Sequence, residues 1–153
     1  MFNILNDRLP QARFLDLFAG SGQIGIEALS RGAAFACFVD SDRRAVRCIE
    51  ENLKKTKFEE ESQILPREVR AAIRSLAGGP PFDVIFLDPP YQMGGEEALL
   101  QGIVEQGLLA EGGIVVLEAA NSKMIEADAI RPLVVTRQKK YKTNQHIFFE
   151  EGR

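Results

Sequence analysis

Histidine is nearly absent from this sequence and cysteine is scarce. His146 is the only histidine, so a histidine-based triad or a histidine-rich metal site has little to stand on, and the residue reads simply as a strand position. The two cysteines, Cys37 and Cys48, form no CxxC pair and lack metal-ligand spacing. No metal is expected, and both read as reduced thiols of a cytoplasmic protein, one on a strand and one on a helix. No apolar run approaches the roughly 18 residues of a membrane span, so no membrane contact is expected. The first residues lack a basic flank followed by an apolar stretch, so there is no readable secretory signal. A surplus of positive charge is missing too. The net charge of −3 counts against a nucleic-acid partner, because phosphate attraction usually supplies much of such affinity.

What is present is an ordinary globular composition, 45% apolar and 27% charged over 153 residues, which predicts one domain, 1–153, able to bury a real core. Apolar runs alternate with helical patterns. Strands are expected over 12–18, 34–40, 63–66, 82–88 and 112–119, and helices over 22–32, 42–55, 68–76 and 96–109. Asp42 is a good cap for the second helix, in which Val46, Ile49 and Leu53 follow the 3.6 period. The stretch 59–62 is a polar link, and Gly78-Gly79-Pro80-Pro81 stops the third helix. Strand alternating with helix predicts an α/β fold with a mostly parallel sheet covered on both faces. After residue 120 the pattern changes: 131–151 reads as two strands joined by a basic turn, an antiparallel hairpin at one edge of the sheet.

Gly20-x-Gly22-x-x-Gly25 follows a strand and opens a helix, as a dinucleotide-binding fingerprint does, and Asp40 ends the next strand where it can take a ribose hydroxyl. Asp16 argues against a dinucleotide. It sits at the end of the first strand, where an anionic pyrophosphate would meet a carboxylate. S-Adenosylmethionine places an ammonium and a sulfonium there instead, and Asp16 attracts both. Glycines still serve this ligand, because backbone must approach it without a Cβ in the way. A third acid is expected near the end of the third strand to accept from the adenine amino group. Glu68 stands there, and it reads equally well as a first-turn helix acid favoured by the dipole.

The stretch Asp88-Pro89-Pro90-Tyr91 ends a buried strand with an acid, a rigid turn and an aromatic ring. An exocyclic amino group on a nucleobase is a poor nucleophile, because its lone pair is delocalised into the ring. Asp88 can accept one of its N–H groups, and a backbone carbonyl of the turn, that of Pro89, can accept the other. Each proline fixes its own φ, and Pro90 also restricts Pro89, so the carbonyl is aimed before substrate arrives. Tyr91 offers a flat face, and base–aromatic stacking is worth roughly 1–3 kcal/mol, which helps offset unstacking of the base from its helix. The plainer alternative is a stiff turn after a strand.

The segments "FLDLFAGSGQIGIEALSRGA", "FVDSDRRAVRCIEENL" and "FDVIFLDPPY" together resemble the RsmD-type methyltransferases, bacterial enzymes that methylate the exocyclic amine of one guanine in 16S rRNA. The resemblance runs over nearly the whole chain. It implies a Rossmann-like class I methyltransferase fold with an antiparallel C-terminal edge hairpin, S-adenosylmethionine as cofactor, and 16S rRNA or an assembling small ribosomal subunit as partner of a monomer. Carried over by position, Asp16, Phe18, Ala19, Gly20, Ser21, Gly22, Asp40, Glu68 and Asp88 form the cofactor set, and Asp88, Pro89, Pro90 and Tyr91 the catalytic set facing the base. In the family an acid followed by alanine usually comes after the third strand; here Glu68 is followed by Val69. Family members also usually begin with a basic segment before the motif seen here as Phe2-Asn3-Ile4-Leu5. The expectation is that this segment is missing, which would account for the charge of −3. Arg137, Lys139, Lys140 and Lys142, with Tyr141 among them, form a basic cluster that reads either as a contact to rRNA phosphates or as a solvated turn.

Three other readings compete. A DNA adenine methyltransferase shares the Asp-Pro-Pro-Tyr chemistry, but the chain has no length left for a DNA-recognition domain. A nicotinamide-dependent oxidoreductase predicts NAD binding and has no use for that turn. A cofactor-binding remnant would bind the methyl donor but transfer nothing without its RNA-docking segment.

Overall fold

A computed structural model describes residues 1–152. Its centre is a seven-stranded sheet: β1 (Arg13–Asp16), β2 (Phe35–Val39), β3 (Ser62–Leu65), β4 (Phe82–Leu87), β5 (Leu109–Ala120), β6 (Leu133–Lys140) and β7 (Asn144–Glu151), in the order β3-β2-β1-β4-β5-β7-β6. The first five strands run parallel, and β7 and β6 are antiparallel additions at one edge. This is the α/β arrangement expected from the sequence, hairpin included, with β4 beside β1. The order in which successive strands are added reverses between β1 and β4, and the crevice at such a switch point, beyond the carboxyl ends of the strands, is where open parallel sheets bind ligands.

The central strands are apolar in both directions because both faces are covered. Along each of them, alternate side chains enter two separate cores. Phe14, Phe38, Phe86 and Val116 face α1 (Phe2–Leu5), α2 (Gln23–Ser30) and α3 (Arg43–Thr56), where Leu5, Leu29, Ile49 and Leu53 meet them. Leu15, Cys37, Ile85 and Leu117 face α4 (Val69–Leu76) and α5 (Glu96–Glu105), and pack on Ala72, Ile73, Leu100 and Ile103. The period of two residues thus fixes which side chains share a face.

Local chemistry sets the helix ends. Asp42 caps α3, its carboxylate accepting from the Arg44 amide at 2.8 Å; such a cap is worth about 1 kcal/mol. Lys54 and Lys55 occupy its last turn, where the helix dipole favours cations. Gly25 allows α2 to lie directly on β2, since a Cβ there would come within 2.4 Å of the Phe38 ring.

Most boundaries fall within two residues of the sequence reading; the larger departures lie around α5 and β5. The helix expected over 96–109 ends at Glu105, because Gly107 turns the chain with φ +66. The strand expected over 112–119 therefore starts at Leu109. The polar link at 59–62 contains a short 3-10 turn, Glu59–Glu61. Helix α1, for which no element was expected, tucks Leu5 into the core, and Leu9 follows it there. No helix is long and apolar enough to cross a membrane among the described residues.

Candidate active site

Two cavities open at the carboxyl end of the sheet, one on each side of the turn after β4. The first, of about 580 Å³, is lined by Leu17, Phe18, Gly20, Asp40, Ser41, Arg67, Glu68, Val69, Asp88, Pro90, Gln92 and Met93. Its size lies in the range of small-molecule sites. The second, of about 540 Å³, takes its wall from Pro89 and Tyr91 and continues along Glu118, Lys123 and Thr143. The four residues Asp88 to Tyr91 are thus a partition whose alternate members face different cavities.

The glycine loop joins β1 to α2. Gly20 and Gly22 have φ of +58 and +84, conformations that disfavour a side chain. A Cβ on Gly20 would project into open space at the cavity wall. The loop is tied at three points: the Ala19 amide donates to the Val39 carbonyl at 2.9 Å, the Asn52 side-chain amide donates to the Ser21 carbonyl at 2.9 Å, and the Gly20 amide donates to Asp40 Oδ2 at 2.9 Å. The other oxygen of Asp40 accepts from the Asp42 amide at 2.9 Å. A carboxylate has about four lone-pair sites, so Asp40 keeps acceptors for a ligand in the cavity it lines. Phe18 also stands on that wall, whereas Ala19, Ser21 and Gly22 form the loop behind it.

Asp16 lies deeper than the sequence suggested. It is 1% exposed and does not line either cavity. Neither carboxylate oxygen has a hydrogen-bond partner; the Phe18 and Gly25 amides lie near enough to favour the charge but miss hydrogen-bond geometry. Burial pushes the Asp16 carboxyl up to about 7, and repulsion from Asp88 and Asp40 adds to the rise. At neutral pH an acid so placed is close to half-protonated, and a cation beside it would favour the charged form.

Glu68 is chiefly a helix cap. Its Oε2 accepts from the Arg70 and Ala71 amides at 2.8 and 3.2 Å, and Oε1 takes the Arg70 guanidinium at 3.1 Å. It still borders the first cavity, but its oxygens are engaged, and it stands one position before the first turn of α4 as the N-cap, a role the sequence reading had not named.

Asp88 stands at the cavity mouth, solvent-accessible on one side and flanked by protein on the other. Burial on that flanked side raises its carboxyl to about 6, with repulsion from Glu118 adding to this and His146 opposing it. In the turn, the Pro90 carbonyl accepts from the Met93 amide at 3.0 Å, while no backbone donor takes the Pro89 carbonyl among the described residues. Pro89 is buried and Tyr91 is 71% exposed, its ring free to receive a flat partner.

Sequence reasoning missed two members of this neighbourhood. His146 does lie on a strand, but its Nε2 is 2.9 Å from Glu118 Oε1. The register makes Glu118 its direct cross-strand partner, and Leu87 pairs with Leu117, so Asp88, Glu118 and His146 form the next rung after Phe86, Val116 and Phe148. The only sequence signal was an acid at the end of each of two neighbouring apolar runs. The basic cluster is exposed, but it is not confined to the turn: Arg137, Lys139 and Lys140 lie on β6, and only Lys142 stands in the turn that follows. Among the described residues, no three His, Cys, Asp or Glu side chains are grouped to hold a metal ion.

The arrangement matches known proteins along its length. The family model described as "Conserved hypothetical protein 95" matches residues 1–150. YlbH of Bacillus subtilis, an rRNA methyltransferase by name, is 38% identical over 143 residues, which are 92% of this chain and 77% of that protein. Ribosomal RNA small subunit methyltransferase D of Haemophilus influenzae is 31% identical, with 80% of this chain and 64% of that protein covered. A solved structure of a conserved hypothetical protein from Streptococcus pyogenes superposes with a TM-score of 0.87 at 34% identity, covering 97% of this chain and 92% of that one. On these matches the chain belongs to the RsmD-type family of S-adenosylmethionine-dependent rRNA methyltransferases.

Proposed function

We propose that this chain transfers a methyl group from S-adenosylmethionine to the exocyclic amino group of a guanine in small-subunit rRNA, acting in the cytoplasm as a monomeric catalytic domain. The observation that carries this reading is the partition between the two cavities. One wall of it, Asp88 and Pro90, faces a cavity bordered by the glycine loop and Asp40; the other, Pro89 and Tyr91, faces a cavity sized for a base.

The residues present fit the methyl donor. Asp16 is a buried carboxylate with no hydrogen-bond partner, flanked by the charges of Asp40 and Asp88, and a cationic ligand would relieve all three. Gly20 leaves open space where a side chain would otherwise stand. Asp40 would take the ribose hydroxyls. When bound, S-adenosylmethionine supplies a methyl group on positively charged sulfur, which moves to the amine nitrogen as the S–C bond breaks to leave a neutral thioether.

The remaining work falls to the turn. Asp88 accepts one N–H of the target amine and the Pro89 carbonyl accepts the other, so the nitrogen is held in line and made more pyramidal. Catalysis on this basis is mostly positioning. The attacking amine becomes acidic as it gains its methyl, and its proton leaves late, through the Asp88 carboxylate to water. Tyr91 stacks on the base.

Ionised Asp88 is the stronger acceptor for the N–H and the form that can take the late proton, and its carboxyl titrates at about 6. The kcat/KM for transfer to unmethylated small ribosomal subunits is therefore expected to rise with pH through about 6 and then level off. Free duplex DNA is expected to accept no methyl. A kcat/KM that falls over that range, or transfer to the DNA in place of the subunits, would contradict this reading.

A further inference from the structure

Resting on that reading, we propose that Glu118, held in place by His146, selects guanine by accepting the ring N1–H while Asp88 accepts the neighbouring amino N–H. Glu118 lines the second cavity together with Pro89 and Tyr91, and it stands one strand over from Asp88 on the same face of the sheet. One of its oxygens is engaged at 2.9 Å by His146 Nε2.

That hydrogen bond, outweighing the opposing effect of burial, keeps the Glu118 carboxyl below its ordinary range. It is therefore an acceptor only. Because a carboxylate cannot donate, the hydrogen of the pair sits on His146 Nε2. His146 Nδ1 is buried with no partner. The Tyr141 ring meets the imidazole edge-on at a centroid distance of 5.0 Å and holds it from the other side. The result is a carboxylate fixed by His146 at the border of the second cavity, with Asn144 and Asp88 close beside it.

The chemistry of the purine edge supplies the selection. Guanine presents N1–H and the 2-amino group side by side, two donors facing two carboxylates. Adenine presents its amino group beside an N1 that carries only a lone pair. Directing that lone pair at Glu118 would set acceptor against acceptor and leave a charged group without its hydrogen bond. Enzymes that act on an extruded base read its Watson–Crick edge in this manner.

The test uses the full chain saturated with S-adenosylhomocysteine and two nucleosides, guanosine and 2-aminopurine riboside. The second keeps the 2-amino group but has an unprotonated N1. The wild-type chain is expected to prefer guanosine by about 10–100-fold, the scale of one well-placed base contact. In Glu118→Gln the amide can turn its NH₂ toward a bare N1, and the preference should shrink to about threefold or less. His146→Gln retains a donor for Glu118 and should keep most of the preference, whereas His146→Leu should lose most of it; simple loss of packing would weaken both nucleosides alike. S-Adenosylhomocysteine affinity reports that each variant is folded. An undiminished preference in Glu118→Gln overturns this inference and leaves the methyltransferase reading intact. Failure of the wild-type chain to bind guanosine overturns the inference as well, and failure to bind S-adenosylhomocysteine overturns both.

Discussion

Asp88→Ala should reduce methyl transfer by about 10³-fold or more, within the range for loss of a positioned proton acceptor, while changing S-adenosylmethionine affinity only a few-fold. The two effects separate because Asp88 stands on the partition rather than in the loop. Its carboxylate shares the first cavity with Gly20 and Asp40, but the interaction assigned to it is with the amine on the other side. Removing it leaves the Pro89 carbonyl to hold the nitrogen alone, so the amine keeps one anchor and loses its alignment. Single-turnover transfer and calorimetric donor binding measure the two quantities independently. A large loss of donor affinity in this variant would reassign Asp88 to the cofactor.

Asp16→Asn should act on the donor instead: it should abolish donor binding and raise the stability of the free protein. The folded-state carboxyl titrates at about 7, above the ordinary value of 3.8. Folding therefore favours the protonated acid. Its stability is complete below the unfolded-state value and is lost as pH rises toward and through 7. At about pH 8 the native protein carries a buried charge with no hydrogen-bond partner, and relieving it should stabilise by about 1–3 kcal/mol. For a chain of this size that raises the melting temperature by roughly 2–12 °C. The gain should disappear below about pH 4, where the acid is neutral in both states. Thermal melts of both proteins across pH measure it. Destabilisation of the variant at high pH, or undiminished donor affinity, would mean that Asp16 is a structural acid. That outcome would be the trade of stability for binding seen at functional sites.

The parts of this site carried by local sequence were legible. The glycine loop and the Asp-Pro-Pro-Tyr turn both sit at strand ends, and alternation of strand and helix brings strand ends together at one rim of the sheet. Asp42 and its helix follow from capping chemistry within a few residues. What lay hidden depends on register between distant segments. Glu118 and His146 are 28 residues apart, and they meet only because β7 inserts between β5 and β6 with one particular pairing. A shift of one residue would turn His146 to the other face. The depth of Asp16 was hidden for a similar reason: a strand-end acid looks the same in sequence whether it borders the cavity or lies behind Phe18. Asn52, which ties the loop through Ser21, faces inward from the middle of α3 and gives no motif. Glu68 shows the reverse case, in which one residue satisfied two patterns and the cap at 2.8 Å claimed it.

Titration calorimetry of the chain with S-adenosylmethionine and with NAD, repeated in buffers of different ionisation heat, bears most directly on what the acids at the rim of the sheet are for. S-Adenosylmethionine should bind, NAD should not, and at about pH 6 binding should release roughly one to one and a half protons as the cation drives Asp16, and in part Asp88, to the charged form. Binding of NAD without S-adenosylmethionine, or donor binding with no proton released, would contradict the role given to these carboxylates.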